Sequence, residues 1–342
     1  LSRNDGVQNW PAVTTIAESS FSPNILWAGT DDGNLWVTRD GGQNWKNVYE
    51  KLPGLPKGLY VSRVIASRHA EGTAYATIDG HRSNDFGIYV YLTTDFGETW
   101  KSIASDLPQS NGIVNVIREH SRNADLLFVG TEYGAFASFN RGGSWTRIKM
   151  NFPTVPVDDI LIHPRDNDLI FGTHGRSIWI LDDITPLEQM NDSVAAADFQ
   201  LFDIRPATMW RTWSNKGSTG WNFFLGPNPP NGAMIHFLLK SPGEKDEVKI
   251  TILDKDGKEV REITCRKRQP DQQQPPAGGP GVGGFGFGAG QQQTCEPQAG
   301  INRVVWDLRH RSPIPPAPPG EQPPGGLGGG CGFGAAQGYR VD

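Results

Sequence analysis

An eight-residue pattern recurs three times in this chain of 342 residues, and it limits the possible folds more than any other feature. Thr38, Asp40, Gly42 and Trp45 form the first copy, Thr93, Asp95, Gly97 and Trp100 the second, and Ser138, Asn140, Gly142 and Trp145 the third. Each position has a physical reason. The short acid or amide accepts from the amides of a tight turn, Gly takes a backbone angle that other residues resist, and Trp packs into a neighbouring layer. A pattern returning every ~40 to 55 residues is the spacing of units built from four short strands.

Two short, β-rich apolar runs stand ahead of the pattern in each unit. The inner pair of runs covers residues 13–17 and 26–30, then 61–65 and 74–78, then 114–117 and 127–131, then 159–162 and 170–173. Polar turns such as 22–24 and 164–167 separate the two runs of a unit; such clusters punctuate strands. The reading is three complete units and a fourth that ends near residues 179–183, where the pattern has decayed and no fourth strand is evident.

The three boxes, together with Gly29, Thr30, Asp31 and Asp32, with Asp79, His81 and Arg82, with Gly130, Thr131, Glu132 and Tyr133, and with Gly172, Thr173, His174, Arg176 and Trp179, carry a family likeness. Residues 10–188 resemble the bacterial glycosyl-hydrolase-like BNR (Asp-box) repeat proteins with a sortilin-type β-propeller. That resemblance implies an all-β chain: a partial propeller of about four four-stranded blades over residues 1–190. Residues 191–312 are expected to follow as an Ig-like β-sandwich, with strands at 235–239, 248–254 and 302–307. A Gly/Gln/Pro-rich insertion interrupts it at 266–300, and a Pro/Gly-rich tail follows at 313–342. Propellers close with four to eight blades, so the ring is expected to be open. Either missing N-terminal blades or a second copy, as a homodimer, would then complete it.

Composition narrows the partners. The net charge is −5 with both signs interspersed, so there is no basic stripe for nucleic acid. No apolar run is long enough to span a membrane. The chain begins at Leu1 without a signal-peptide pattern and reads as a processed or truncated start, consistent with a secreted, periplasmic or cell-surface protein. Cys265 and Cys295 flank the insertion and are candidates for a disulfide, while Cys331 is left over.

The boxes themselves read as structural staples. Candidate chemistry lies instead on the hairpins after each Gly-Thr run, which crowd the channel mouth on the opposite face. Asp31, Asp79 and Glu132 are the candidate metal ligands, since hard carboxylate oxygens suit Ca²⁺. His81 and His174 are candidate bases, and Arg82 and Arg176 are candidate oxyanion partners. Asp158 and Asp159 join from the adjoining side, whereas His69, His120 and His163 are expected at exposed outer turns. A sialidase is not indicated, because the only Arg-Ile-Pro-like string, around Arg205, follows the propeller. The expected function is a Ca²⁺-assisted hydrolase acting on a lactone, ester or glycan. The alternative is a noncatalytic propeller that binds a protein or peptide. A retaining glycosidase would need Asp79 and Glu132 about 5 Å apart.

Overall fold

Alternating turn and strand chemistry folds residues 13–181 into four successive antiparallel sheets. The computed structural model describes residues 11–149, 151–208, 229–243, 247–267 and 295–310. Most of the Gly/Gln/Pro-rich insertion, the tail and Cys331 lie outside these residues. The chain divides into two units, Leu1–Ala195 and Ala196–Asp342.

The first sheet runs in order β1 (Val13–Glu18), β2 (Leu26–Thr30), β3 (Leu35–Thr38) and β4 (Lys46–Asn47). The second repeats that order with β5 (Tyr60–Ala66), β6 (Ala74–Asp79), β7 (Tyr89–Thr93) and β8 (Lys101–Ser102). The third does so with β9 (Val114–Glu119), β10 (Leu127–Thr131), β11 (Gly134–Ser138) and β12 (Thr146–Arg147). In the fourth, β13 (Val157–Ile162), β14 (Leu169–Thr173) and β15 (Ile178–Leu181) form only three strands. There the chain enters the short helix α1 (Thr185–Glu188) where the other sheets make an outer strand. First strands pack on first strands, β1 on β5, β5 on β9 and β9 on β13, so they form the innermost layer of a β-propeller.

Facing positions explain the packing. In each sheet one residue of the second strand and two of the third point toward the following sheet. They are Trp27, Leu35 and Val37 in the first, Tyr75, Val90 and Leu92 in the second, and Phe128, Ala135 and Ala137 in the third. All are covered by the next sheet. The same register in the fourth sheet falls on Ile170, Ile178 and Ile180, and there Ile178 is 67% and Ile180 54% exposed. The arc of described sheets is therefore open at that face.

A β-bulge recurs at one position of every first strand and sets Thr14, Ser62, Asn115 and Asp158 apart from the ladder. The side chains of the first three each donate to a carbonyl of the next blade's first strand. Thr14 Oγ1 reaches the Val61 carbonyl at 3.0 Å, Ser62 Oγ that of Val114 at 3.0 Å, and Asn115 Nδ2 that of Val157 at 3.2 Å. Asp158 ends the series.

The three boxes make the same bonds. Thr38, Thr93 and Ser138 receive the amide N–H of Gly42, Gly97 and Gly142 at 3.0, 3.0 and 2.8 Å. The acid or amide two residues on accepts from the amide of Asn44, Thr99 or Ser144 at 2.8 to 2.9 Å. Each box then leans on the preceding blade. Trp100 joins the core shared by the first two sheets and Trp145 the core shared by the second and third, and Trp145 Nε1 donates to the Ile103 carbonyl at 2.7 Å. Trp45, with no described blade before it, stays 39% exposed.

His120 corrects the expectation of an exposed turn residue. It is fully buried, with Nε2 2.9 Å from Asn167 Oδ1, because the outer turns of the third and fourth sheets close over it. Arg122 pairs with Glu188 of α1 beside it, at 2.6 Å. Burial pushes the His120 imidazole down, against the opposing bond to Asn167.

The helix α2 (Asp192–Ala196) falls at the boundary of the two units, and in the second β16 (Phe199–Leu201) pairs with β17 (Ala233–Leu239). β18 (Glu247–Leu253) and β19 (Glu259–Arg266) form a hairpin, and β20 (Gly300–Trp306) completes the sheet of β16 and β17. Phe237 and Val304 of the sheet share a core with Ile263 and Cys265 of the hairpin. A Cys265–Cys295 disulfide, Cα atoms 4.5 Å apart, ties β19 to the segment entering β20.

Trp145→Phe is expected to destabilise the chain by about 1–3 kcal/mol, since it leaves the Ile103 carbonyl buried without a donor. Trp45→Phe is expected to be nearly neutral, and urea unfolding of the two variants checks the contrast. The Asn44 backbone N–H, with further bonds from the Asn44 and Thr38 side chains, holds the Asp40 carboxyl at about 2. An Asp free of such bonds titrates near 3.9, so this contribution is present above about pH 4 and is lost as the pH falls toward 2. Acid unfolding curves of the wild type and Asp40→Asn should converge at low pH.

Candidate functional site

The hairpins between second and third strands share one side of the propeller, opposite the boxes. The β6–β7 hairpin is the best braced of them. A 3₁₀ turn over His81–Ser83 ends at Asn84, which adopts a left-handed backbone with φ of 56°. Asp79 Oδ1 accepts the backbone N–H of His81 at 2.7 Å. Asp85 accepts the amide of Gly87 and the hydroxyl of Tyr89, both at 2.9 Å. That carboxylate and burial together push the Tyr89 phenol up to about 12, burial being the larger cause.

His81 joins two blades. Its Nδ1 lies 3.4 Å from Asp79 Oδ1 in its own blade, and its Nε2 lies 3.0 Å from Glu132 Oε1 in the next. All three side chains are partly buried. Glu132 occupies the space that a side chain at Gly112 would need, and Gly112 has φ of 66°. Phe86 meets the His81 ring edge-on at 5.0 Å and is 53% exposed, and Tyr133, next to Glu132, is 46% exposed. The Tyr133 carbonyl is held by Arg147 Nη2 at 2.9 Å.

A second cross-blade pair stands beside this group. Arg82 Nη1 lies 3.4 Å from Asp31 Oδ2, and its guanidinium covers the Tyr60 ring at 4.9 Å. Asp31 Oδ1 accepts the Ala12 N–H at 2.9 Å. Asp32 serves its own turn, accepting from Thr30 Oγ1 and Asn34 Nδ2.

The fourth sheet stands apart. His174 Nδ1 lies 3.2 Å from Asp158 Oδ2, and the imidazole is 80% exposed. Arg176 bonds the carbonyl of adjacent Gly175 at 3.3 Å. The structure thus brings together Asp79, His81 and Glu132, sets Asp31 with Arg82 at their side, and leaves His174 and Arg176 outside that group.

A calcium ion would need several hard oxygen donors turned toward one point. Asp31 is committed to Arg82 and a backbone amide, and an imidazole stands between Asp79 and Glu132. Among the described residues, no group of three or more His, Cys, Asp or Glu side chains is gathered as a metal site. The three carboxylates do not fit a shared ion in this arrangement.

Sequence reading missed Phe86, Asp85 and Gly112. An exposed aromatic residue following a bonded turn was the available signal for Phe86. Gly112 carried none, since its value lies in a contact with a hairpin twenty residues away.

No protein-family model matches the chain. It is 29% identical over 172 residues to an oligoxyloglucan-reducing end-specific xyloglucanase from Emericella nidulans, covering 43% of this chain and 20% of that protein. It is 33% identical over 177 residues to a probable oligoxyloglucan-reducing end-specific xyloglucanase from Neosartorya fischeri, covering 44% and 20%. The chain spans about one fifth of the length of these curated relatives. Among solved structures, an ancestral GH74 enzyme is similar with a TM-score of 0.42 and 14% identity, covering 74% of this chain and 32% of that one. A GH74 xyloglucanase from Xanthomonas campestris is similar with a TM-score of 0.39 and 18% identity, covering 47% and 26%.

Gly112→Ala is expected to expel the Glu132 carboxylate from its place and break its contact with His81. The His81 ring signals in an NMR spectrum should shift while the box tryptophan signals stay in place.

Proposed function

We propose that this chain is part of a glycan hydrolase and that the hairpin face around His81 holds the sugar. The observation that carries the reading is the set of Asp79, His81 and Glu132 across two blades, flanked by the exposed rings of Phe86 and Tyr133. Aromatic faces suit the apolar faces of pyranose rings, and paired acid and base groups suit acetal cleavage. The likeness to two xyloglucanases supports a glycan substrate over a lactone or ester.

In this reading Glu132 is the proton-transfer carboxylate. His81 Nε2, at 3.0 Å, exchanges a proton with it, and Asp79 positions His81 through its backbone N–H. Glycoside cleavage needs a donor for the leaving oxygen and a group that activates water or attacks the sugar: Glu132 gives its proton to the leaving oxygen, and His81 takes the proton of the attacking water and returns it to Glu132. Arg82 stands at the rim with its charge balanced by Asp31. No step passes through calcium. A secreted, periplasmic or cell-surface setting agrees with the Cys265–Cys295 disulfide, which oxidising compartments maintain. No helix among the described residues is long and apolar enough to cross a membrane.

The full chain should be assayed for reducing-sugar release from oligoxyloglucans and for binding by calorimetry. Glu132→Gln is expected to lower turnover by roughly 10²–10⁴-fold, the usual scale for general acid–base groups, while retaining binding. Phe86→Ala is expected to weaken binding. Binding without turnover in the wild type would make the face a noncatalytic glycan module, and no binding at all would overturn the reading.

A further inference from the structure

The inner strands carry a charged group that the hairpin chemistry does not use. Arg63 of β5, Arg118 of β9 and Asp159 of β13 come from three successive blades. Both guanidiniums reach the same oxygen, Asp159 Oδ1, from Arg63 Nη2 at 3.3 Å and from Arg118 Nη2 at 2.7 Å. That oxygen also receives the backbone N–H of Ile160 at 2.8 Å. Within this cluster one carboxylate oxygen thus serves two cations.

The two arginines are unequal. Arg118 is well held, since its Nε also donates to the Ile160 carbonyl at 2.7 Å. Burial pushes its guanidinium down, Asp159 opposes that, and the nearby Arg63 adds to it. Arg63 has a poorer set of partners: its Nε is buried without an acceptor. A guanidinium presents five donors in a fixed plane that matches a carboxylate in two-point contact. About a quarter of each arginine side chain remains open to solvent.

Register fixes the depth. Tyr60 pairs with Asp79 and Arg63 with Thr77, two residues further along β6. At ~3.3 Å per residue, Arg63 lies roughly 7 Å below the level of Asp79, and Arg118, opposite Phe128 and so four residues from Glu132, roughly 13 Å below that of Glu132. An acidic oligosaccharide of two or three residues entering from the hairpin face reaches that depth.

We infer that Arg63 and Arg118 form a carboxylate-binding site on the inner strands, which takes the uronate group of an acidic oligosaccharide. The sugar carrier rests on the glycan reading above, whereas the anion site rests on the arginines alone. Asp159 is then the internal anion that holds the pair ready and competes with the ligand for Arg63.

Calorimetric titration of the full chain with tri-galacturonate, and separately with a neutral oligoxyloglucan, tests this. Tri-galacturonate should bind, its affinity should fall as salt is raised, and Arg63→Gln should weaken it at least tenfold without changing binding of the neutral sugar. Asp159→Asn should tighten tri-galacturonate severalfold, an effect opposite to that of any loss of folding. The inference is overturned if tri-galacturonate does not bind or if Arg63→Gln leaves it unchanged. It is equally overturned if Asp159→Asn weakens it as Arg63→Gln does, which would make the cluster a tie between blades only. Failure of the neutral oligosaccharide alone falls on the glycan reading and not on the anion site.

Discussion

A sheet of four short strands has two faces and no interior, so a blade is stable only against its neighbour. Burial of facing side chains between successive sheets is the interaction on which everything else in this unit depends. Trp27, Tyr75 and Phe128 occupy one register position in three consecutive blades and are fully enclosed by the next. Each burial of such a ring removes a large apolar area from water, worth a few kcal/mol at the usual transfer scale. The boxes serve this contact by fixing turns that carry Trp100 and Trp145 back into the preceding blade.

Much of that architecture is legible in the chain of letters. The box survives as a pattern because its turn needs particular atoms at particular places: a hydroxyl, a side-chain carbonyl, and a glycine at positive φ. The Gly-Thr runs survive for a similar reason, since a side chain at Gly29 or Gly130 would strike the valine of the next blade's first strand. The bulge staples are invisible by comparison. Thr14, Ser62 and Asn115 perform one task with three different side chains, so no letter recurs. His120 misled because a polar residue beside a turn reads as exposed, and the helix that covers it belongs to a different blade's ending.

The candidate site was half legible. Chemistry-bearing residues at equivalent hairpins stood out, but equivalence along the sequence does not produce equal distance in space. Successive blades bring Asp79, His81 and Glu132 together, while His174, on a sheet with a different ending, pairs with Asp158 instead. Charge compensation also decides more than residue type does: Asp31 is a carboxylate already answered by Arg82. Arg63 stood inside an inner strand run, where a charge among apolar residues was the signal for it, and Arg118 directly follows another such run.

The bulge series has a sense of direction. Every staple places a donor on one blade and a carbonyl on the next, so the bond cannot be reversed. Where the series reaches Asp158, the donor is replaced by a carboxylate engaged with His174. A carbonyl presented at that point would meet an oxygen of like polarity. The fourth sheet therefore ends the run of side-chain donors: at the position where three blades reach outward to a neighbour, Asp158 is turned to a residue of its own blade.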